Sequence, residues 1–327
     1  MSLLRQPVLR GDDPDSPYCP ISAAALAQRD HSIARQYARM RFVRNMQNYG
    51  FARLEVSPAQ AAVPQHAFES VRRWLDAQLA KPKDQRWRGR VDERNDSESN
   101  EVEDAMTARI SKGRFVGFAS DRNREYVQLR RPIAASGTVW PPAHFVDDKE
   151  EPFAHEMLAL LNLLDNLGRD CMRAVCDVLN MDPDWVLNEL LEDTTPPPSS
   201  PDEVTTVDKA YQYGPSVLRV YNYRNKGANA HPDDSSCAVH ADLGLLTVSP
   251  VATVPGLQMW NLDRMMWTDV EADAAPTHFS VFAGETLGFL THGVIKAPLH
   301  RVPPISVESE AQRRMSMPYF LRTRPET

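Results

Sequence analysis

Apolar residues in the first half of the chain recur mainly every three or four positions, the spacing of one helix face. The pattern predicts helices over residues 21–48, 58–79 and 152–179, with a shorter helix beginning near Asp184. Gly50 is a stop signal for the first helix. Alternating or short apolar runs predict strands over residues 51–56, 115–118 and 126–129. Residues 90–104 are polar and acidic without an apolar period, and we expect an exposed, mobile loop there.

The pattern changes after residues 194–208, where three consecutive prolines predict a stiff linker. Short strand-like runs then follow, separated by turns, at residues 217–223, 238–248, 257–260, 266–270, 279–282, 287–290, 299–302 and 315–321. Runs of this kind predict a β-sandwich or barrel. We therefore expect a helical and mixed N-terminal region (1–193), a proline-rich linker (194–209) and a barrel core (210–327).

Composition narrows the class of protein. The 327 residues include 37 Lys and Arg against 44 Asp and Glu, and the net charge of −7 argues against a broad nucleic-acid- or membrane-binding surface. Residues 243–262 form an uncharged run, but prolines and polar residues interrupt it, and it predicts two strands around a turn. The four cysteines show no C-x-x-C spacing and no targeting segment is visible, so we expect a cytoplasmic protein.

Three residues in the barrel half have the chemistry of a metal site. In a strand, residues i and i+2 project from the same face, so His240 and Asp242 of His-Ala-Asp point to a common spot. His300 is the best candidate for a third ligand from another strand. Two imidazoles and one carboxylate on one face of a metal are typical of non-haem Fe(II) centres. Taken alone, His-x-Asp is a weak signal, and a histidine such as His300 is more often a core residue than a ligand.

A basic and a hydroxyl residue follow at the same two-residue spacing. Arg314 and Ser316 flank Met315 on a strand-like run, fourteen residues after His300. A guanidinium binds a carboxylate through two hydrogen bonds, and a hydroxyl on the same face adds a donor. The pair therefore predicts a carboxylate-binding site, and its order and spacing relative to the metal ligands are more specific than any one residue.

Six stretches together carry a resemblance to a known family: residues 240–247 (HADLGLLT), 256–258 (GLQ), 267–270 (WTDV), 282–285 (FAGE), 296–302 (KAPLHRV) and 314–320 (RMSMPYF). In these the chain from Leu218 onward resembles the 2-oxoglutarate/Fe(II)-dependent dioxygenases, in the branch that includes isopenicillin N synthase. Residues 48–54 and 124–129 agree with that branch more loosely. The resemblance implies an α+β, mainly β fold, with a double-stranded β-helix (jelly-roll) core and helical N-terminal support.

The resemblance also implies an activity. It predicts an Fe(II)- and 2-oxoglutarate-dependent oxygenase, an oxidoreductase that hydroxylates or oxidatively rearranges a small organic molecule with O2 and releases succinate and CO2. His240, Asp242 and His300 match the iron ligands of the family, and no catalytic residue is implied beyond this metal centre. The expected partners are a small-molecule substrate and O2, without nucleic acid or membrane.

The resemblance assigns the cosubstrate to three residues. Arg314 and Ser316 match the pair that holds the distal carboxylate of 2-oxoglutarate. Tyr223 falls at the tyrosine that also reaches this carboxylate, although Tyr221 stands where Asn is usual in the family. The chain stops eleven residues after Ser316, where many relatives continue into a closing helix, so we expect either an open mouth or a cover formed by residues 90–104.

Five further residues are candidates for contact with the substrate. Arg114 and Arg130 flank or precede the proposed substrate-side strand and would grip an anionic group, although charged clusters are more often solvated. Phe118 and Phe320 would wall a pocket, or belong to ordinary core. His292 would line the pocket or lie in a turn, with direct metal ligation as the weaker alternative.

Two other functions remain open at this point. A cosubstrate-free non-haem Fe(II) oxidase of the isopenicillin N synthase type would use Arg314 and Ser316 to hold the carboxylate of its own substrate. A non-catalytic jelly-roll binding protein would use the metal for structure only. Formation of succinate separates the first alternative from the oxygenase, and the sequence does not identify the substrate.

Overall fold

The computed structural model describes residues 16–82, 116–120, 123–131, 151–191, 214–225, 234–262, 264–306 and 312–323. The loop predicted at 90–104 and the linker predicted at 194–208 lie outside these residues. Among the helices that the structure describes, none is both long enough and apolar enough to cross a membrane.

The first half of the chain contributes the longer helices: α1 (Ala23–Ala27), α2 (Ile33–Tyr49), α3 (Pro58–Ala80) and α4 (Glu151–Leu179), then a short π-helix (Trp185–Leu190). Ser32 and Ser57 cap α2 and α3, because their hydroxyls accept backbone N–H groups of the first turn. Gly50 ends α2 in the left-handed conformation (φ 74°), as predicted. The helix predicted over 21–48 is wrong at its start, since Ile21–Ser22 pairs as a strand.

Thirteen strands lie in the described residues: β1 (Ile21–Ser22), β2 (Phe51–Glu55), β3 (Gly117–Ser120), β4 (Arg124–Leu129), β5 (Val217–Tyr223), β6 (Cys237–His240), β7 (Leu246–Pro250), β8 (Gln258–Asn261), β9 (Met266–Asp269), β10 (His278–Ala283), β11 (His300–Val302), β12 (Met315–Ser316) and β13 (Tyr319–Leu321). The main sheet has the order β1-β2-β10-β7-β13-β5-β4-β3, with β12 also paired to β5. The smaller sheet has the order β6-β11-β8-β9.

Buried clusters join the two sheets into the predicted jelly roll. One cluster contains Phe282 of β10 together with Met259 of β8, and another contains Tyr223 of β5 together with Val302 of β11. The opposite face of the main sheet packs against the helices, where Trp74 of α3 belongs to the large core cluster. The interior between the sheets is therefore shielded on one side by the sheet and its helical layer.

The main sheet draws strands from both sides of the predicted linker. β2 inserts between β1 and β10, and β4 pairs along the whole of β5, from Leu129 opposite Leu218 to Arg124 opposite Tyr223. The N-terminal region thus supplies strands at both edges of the sheet in addition to its helices. The candidate site draws on both sheets, since His240 and His300 lie on β6 and β11 of the smaller sheet and Ser316 lies on β12 of the main sheet.

Three predicted strands differ in the structure. Residues 287–290, predicted as a strand, belong to helix α5 (Glu285–Leu290). The run 238–248 divides into β6 and β7 around a turn, and the run 315–321 divides into β12 and β13 at Pro318. Proline has no N–H to donate to a strand ladder, which explains the second interruption.

Candidate metal centre

Strand pairing brings the three predicted ligands together. His240 ends β6 and His300 begins β11, and the antiparallel register places these two residues opposite each other. Asp242 follows β6 by two residues, and its Oδ1 lies 3.5 Å from Nε2 of His240 and 3.7 Å from Nε2 of His300. One donor atom from each residue lies within 4.8 Å of the others. This set matches the two-histidine, one-carboxylate arrangement that holds Fe(II).

Backbone carbonyls orient both imidazoles. Nδ1 of His240 donates to the carbonyl of Ala238 at 2.8 Å, and Nδ1 of His300 donates to the carbonyl of Pro298 at 3.2 Å. The Nε2 of each imidazole therefore faces the common point. Such outer hydrogen bonds fix the tautomer of a metal-binding histidine.

Asp242 is fixed from its other side. The hydroxyl of Thr247 donates to its Oδ2 at 2.5 Å, and its backbone carbonyl accepts the N–H of Glu285 at 2.7 Å. Burial opposes ionisation of Asp242, but hydrogen bonds from His240 and from the Thr247 hydroxyl outweigh it and lower the pKa. The carboxylate is therefore held in the ionised form that a metal requires.

The two imidazoles differ in protonation. Its hydrogen bond to Asp242, followed by contact with Cys237, raises the pKa of His240 to about 10. Burial lowers the pKa of His300, against the favourable charge of Asp242. His300 is therefore neutral and ready to ligate, whereas His240 releases a proton when a metal takes its place. The side chain of His240 is 42% exposed, so the centre opens to solvent on this side.

The predicted carboxylate-binding pair lies in the main sheet, with Ser316 on β12 and Arg314 directly before it. The carbonyl of Arg314 accepts the N–H of Tyr223 at 3.0 Å, and Ser316 is opposite Tyr221 in the pairing of β12 with β5. The guanidinium of Arg314 lies 5.3 Å from the ring centroid of Tyr223. The three residues assigned to 2-oxoglutarate therefore line one part of the interior.

Glu271 is a member of this group that the sequence did not reveal. Its Oε2 accepts Nη1 of Arg314 at 2.8 Å, and the side chains of Arg314 and Glu271 are only 2% and 4% exposed. The same carboxylate accepts the backbone N–H groups of Gly256 and Leu257, both at 2.9 Å, and that of Ala252 at 3.3 Å. Glu271 thus fixes one end of the guanidinium from behind.

The guanidinium of Arg314 still has donors for a ligand. Its Nη1 also donates to the carbonyl of Val254, but its Nε is buried and has no hydrogen-bond partner in the described structure. A buried N–H without an acceptor is costly, and a carboxylate oxygen would satisfy it. The residues present therefore fit the distal carboxylate of a 2-oxo acid.

The predicted substrate residues do not all lie at the site. Phe118 packs against Trp74 of α3, with ring centroids 6.0 Å apart, so it belongs to the core on the helix side of the main sheet in place of the predicted pocket wall. Arg130 is buried and donates to the backbone carbonyls of Gly214 and Pro215, which gives it a structural role in place of the predicted contact with an anion.

Of the other three predicted substrate residues, only Phe320 lies beside the candidate metal centre in the described structure. Arg114 lies outside the described residues. His292 is exposed in the turn after α5, with φ 49°, and it is absent from the cluster of metal-binding groups. Phe320 is buried on β13 opposite Thr247, which hydrogen-bonds Asp242, so it faces the interior beside the metal centre.

A jelly roll that converges two imidazoles and a carboxylate defines a class of mononuclear metal-binding proteins. Residues 215–323 match the family model of the 2OG-Fe(II) oxygenase superfamily. Over this C-terminal third the chain is similar to that superfamily.

Curated relatives match over the same part of the chain. Homoarginine-6-hydroxylase 2-ODD-C23 of Glycine max is 31% identical over 116 residues, which are 34% of this chain and 33% of that protein. The 2-oxoglutarate-dependent dioxygenase ecdG of Aspergillus rugulosus is 30% identical over 113 residues, 34% of this chain and 33% of that protein. The match thus spans about a third of the length of each relative.

Solved structures share the fold over nearly the whole chain. A full-length Neurospora crassa protein crystallised in complex with alpha-KG has a TM-score of 0.65 at 17% identity, covering 93% of this chain and 83% of that one. The dioxygenase for auxin oxidation 1 of Arabidopsis thaliana has a TM-score of 0.60 at 13% identity, covering 94% and 93%. The jelly roll and its N-terminal layer are therefore common to these proteins.

Proposed function

We propose that the protein is an Fe(II)- and 2-oxoglutarate-dependent oxygenase that oxidises a small organic molecule and releases succinate and CO2. The observation that carries the proposal is the convergence of His240, Asp242 and His300, with one donor atom of each within 4.8 Å of the others. When bound, the iron and the 2-oxo acid supply the activation of O2, a chemistry that amino-acid side chains lack.

In this proposal, the side chains of the protein bind the metal and orient the groups around it. His240, Asp242 and His300 would hold the metal from one side, and their hydrogen bonds to Ala238, Thr247 and Pro298 keep the donor atoms in place before binding. Because the ligands are already ordered, metal binding loses less conformational entropy. Among the described residues, no further His, Cys, Asp or Glu joins this cluster.

The cosubstrate would bind beside this centre. Arg314 would donate its unpartnered Nε to the distal carboxylate, with Ser316 and Tyr223 as neighbouring hydroxyl donors. Burial raises the pKa of Tyr223 to about 12, so its hydroxyl stays protonated and can donate at neutral pH. The names of the relatives include homoarginine and auxin as substrates, and a shared fold does not choose between such molecules.

Succinate formation tests the proposal. Protein loaded anaerobically with Fe(II) is exposed to air with 2-oxoglutarate, without and with a library of metabolites, and succinate is quantified. We expect succinate from the wild type and none above background from His240→Ala or His300→Ala. His66→Ala, an exposed histidine on α3, is the matched control and keeps full activity.

Two results would contradict the assignment. Succinate formation retained in His240→Ala would show that the proposed metal ligands are not required for the reaction. Failure of the folded wild type to bind 2-oxoglutarate in a titration would instead favour the cosubstrate-free oxidase or the non-catalytic binding protein.

A further inference from the structure

Two arginines lie beside the candidate metal centre, and neither has an ion-pair partner among the described residues. Arg219 is on β5 and Arg322 directly follows β13, and their guanidinium carbons lie 5.5 Å and 5.7 Å from the ring centroid of Phe320. Neither forms an ion pair with any residue in the described part of the chain. Nε of Arg322 is moreover buried and has no hydrogen-bond partner there.

Both side chains face the interior that contains the candidate metal site. Arg219, Tyr221 and Tyr223 alternate along β5, and the last two belong to a buried cluster between the two sheets. A Cβ added to Gly244, two residues after Asp242, would lie 3.3 Å from Cγ of Arg322. The stem of Arg322 therefore packs directly on the turn that carries a metal ligand.

Arg219 is held in position by neutral partners. Its Nε donates to Oε1 of Gln128 at 2.7 Å, and its Nη1 donates to the hydroxyl of Tyr221 at 3.0 Å. The ring of Tyr126 lies 5.6 Å from the guanidinium on another side. These contacts orient the cation, and none of them involves an anion.

The two charges disfavour each other. Burial lowers the pKa of Arg322, and the nearby charge of Arg219 lowers it further. Asp242 acts on Arg322 from beyond ion-pair distance and offsets these effects only in part. The charged form of Arg322, which has no bonded counter-ion among the described residues, therefore costs stability in the ligand-free protein. Structures retain such costs mainly at functional sites, where a ligand removes them.

We propose that Arg219 and Arg322 bind the anionic group of the oxidised substrate, a carboxylate or a phosphate, while Phe320 and Tyr126 contact its apolar part. This inference rests on the proposed function and deepens it: the substrate is a small organic anion with an apolar body. Arg314 remains the partner of 2-oxoglutarate, because its guanidinium is fixed separately by Glu271. Guanidinium groups recognise planar anions through paired hydrogen bonds.

Calorimetric titration of the protein loaded with Mn(II) and 2-oxoglutarate tests this assignment. Phenylacetate, phenyl phosphate and phenylacetamide serve as probes of matched size that differ in charge. We expect the wild type to bind one or both anions and to bind the neutral amide at least tenfold more weakly. Loss of a charged hydrogen-bonding partner predicts weakening of the anion by roughly 10- to 100-fold in Arg219→Gln and in Arg322→Gln.

A stability measurement separates a binding role from a structural one. Without ligand, Arg322→Gln relieves repulsion and is expected to raise the melting midpoint by about 1–3 °C, whereas loss of a structural contact would lower it. Added inorganic phosphate should stabilise the wild type more than this variant. Arg29→Gln, an exposed arginine far along the chain from the site, controls for the change of charge.

Four results would overturn the inference. These are equal binding of amide and anions, unchanged anion affinity in both variants, a lower melting midpoint in Arg322→Gln, or a wild type that binds neither the organic anions nor phosphate. If Arg322→Gln weakens 2-oxoglutarate as much as the probes while Arg314→Gln leaves 2-oxoglutarate unchanged, the arginines hold the cosubstrate instead. Because the titration measures binding, these outcomes are distinct from absence of succinate.

Discussion

Replacing Glu271 by Gln would show how far the buried pair with Arg314 determines the stability of the site. The carboxylate accepts Nη1 of Arg314 at 2.8 Å and three backbone N–H groups at 2.9–3.3 Å, all with little exposure to solvent. The Gln amide keeps the shape but presents N–H where an acceptor is needed, and Arg314 loses its counter-ion. Removing one partner of a buried ion pair costs about 3–5 kcal/mol.

That free energy converts into a measurable shift. At about 2 °C per kcal/mol for a chain of this size, the melting midpoint should fall by roughly 6–10 °C. Calorimetry or circular dichroism in the absence of ligand gives the midpoint. Asp269→Asn is the control, because its carboxylate accepts a hydrogen bond from Gln258 in an exposed position, and such surface changes stay within about 0.5 kcal/mol.

A double-mutant cycle provides the refutation. If Glu271 acts on Arg314, the double variant Glu271→Gln with Arg314→Gln loses clearly less stability than the sum of the two single variants. Additive losses, or a fall of less than about 2 °C in Glu271→Gln alone, would show that the pair is not coupled and that the reasoning from burial is wrong.

Two further predictions concern the metal site and the packing of Gly284 against Gly244. Thr247→Val removes the hydroxyl that donates to Asp242 and should weaken Mn(II) binding by roughly 10- to 100-fold in a titration, with an unchanged circular dichroism spectrum; unchanged affinity would contradict the orienting role. Gly284→Ala places a Cβ in steric overlap with the backbone oxygen of Gly244, so we expect a loss of soluble folded protein or a melting midpoint lower by several degrees, and a wild-type midpoint would refute it.

The candidate ligand set could be predicted from the sequence because local spacing and the resemblance to a known family agree on it. The two-residue spacing of His240 with Asp242 and of Arg314 with Ser316 was a weak signal alone, and the flanking stretches that carry the resemblance made it specific. Residues 287–290 show the limit of that reasoning, since a short apolar run does not distinguish strand from helix. Phe118 shows another limit. An aromatic residue in a strand can face either side of the sheet, and only its contact with Trp74 of α3, distant in sequence, shows that Phe118 faces the helices.

Ion pairs between residues far apart in the sequence could not be predicted. Glu271 and Arg314 are 43 residues apart, and nothing in the local pattern around either one indicates a buried pair. Arg219 did have a signal, because in Val-Leu-Arg-Val-Tyr-Asn-Tyr it shares the two-residue repeat with Tyr221 and Tyr223. Arg322 continues the repeat of Ser316 and Phe320 beyond the end of β13, where the sequence alone gives no reason to extend the strand.

The insertion of N-terminal strands at both edges of the main sheet has a consequence for dissection of the protein. Residues 215–323 contain all the proposed ligands, yet a fragment limited to them would expose β10 on one side, where β2 pairs, and β5 on the other, where β4 pairs. Open, apolar strand edges favour aggregation. The third of the chain that carries the sequence similarity to the curated relatives therefore depends on the other two thirds to cover its strand edges. A fragment trimmed to residues 215–323 would be an aggregation-prone sheet.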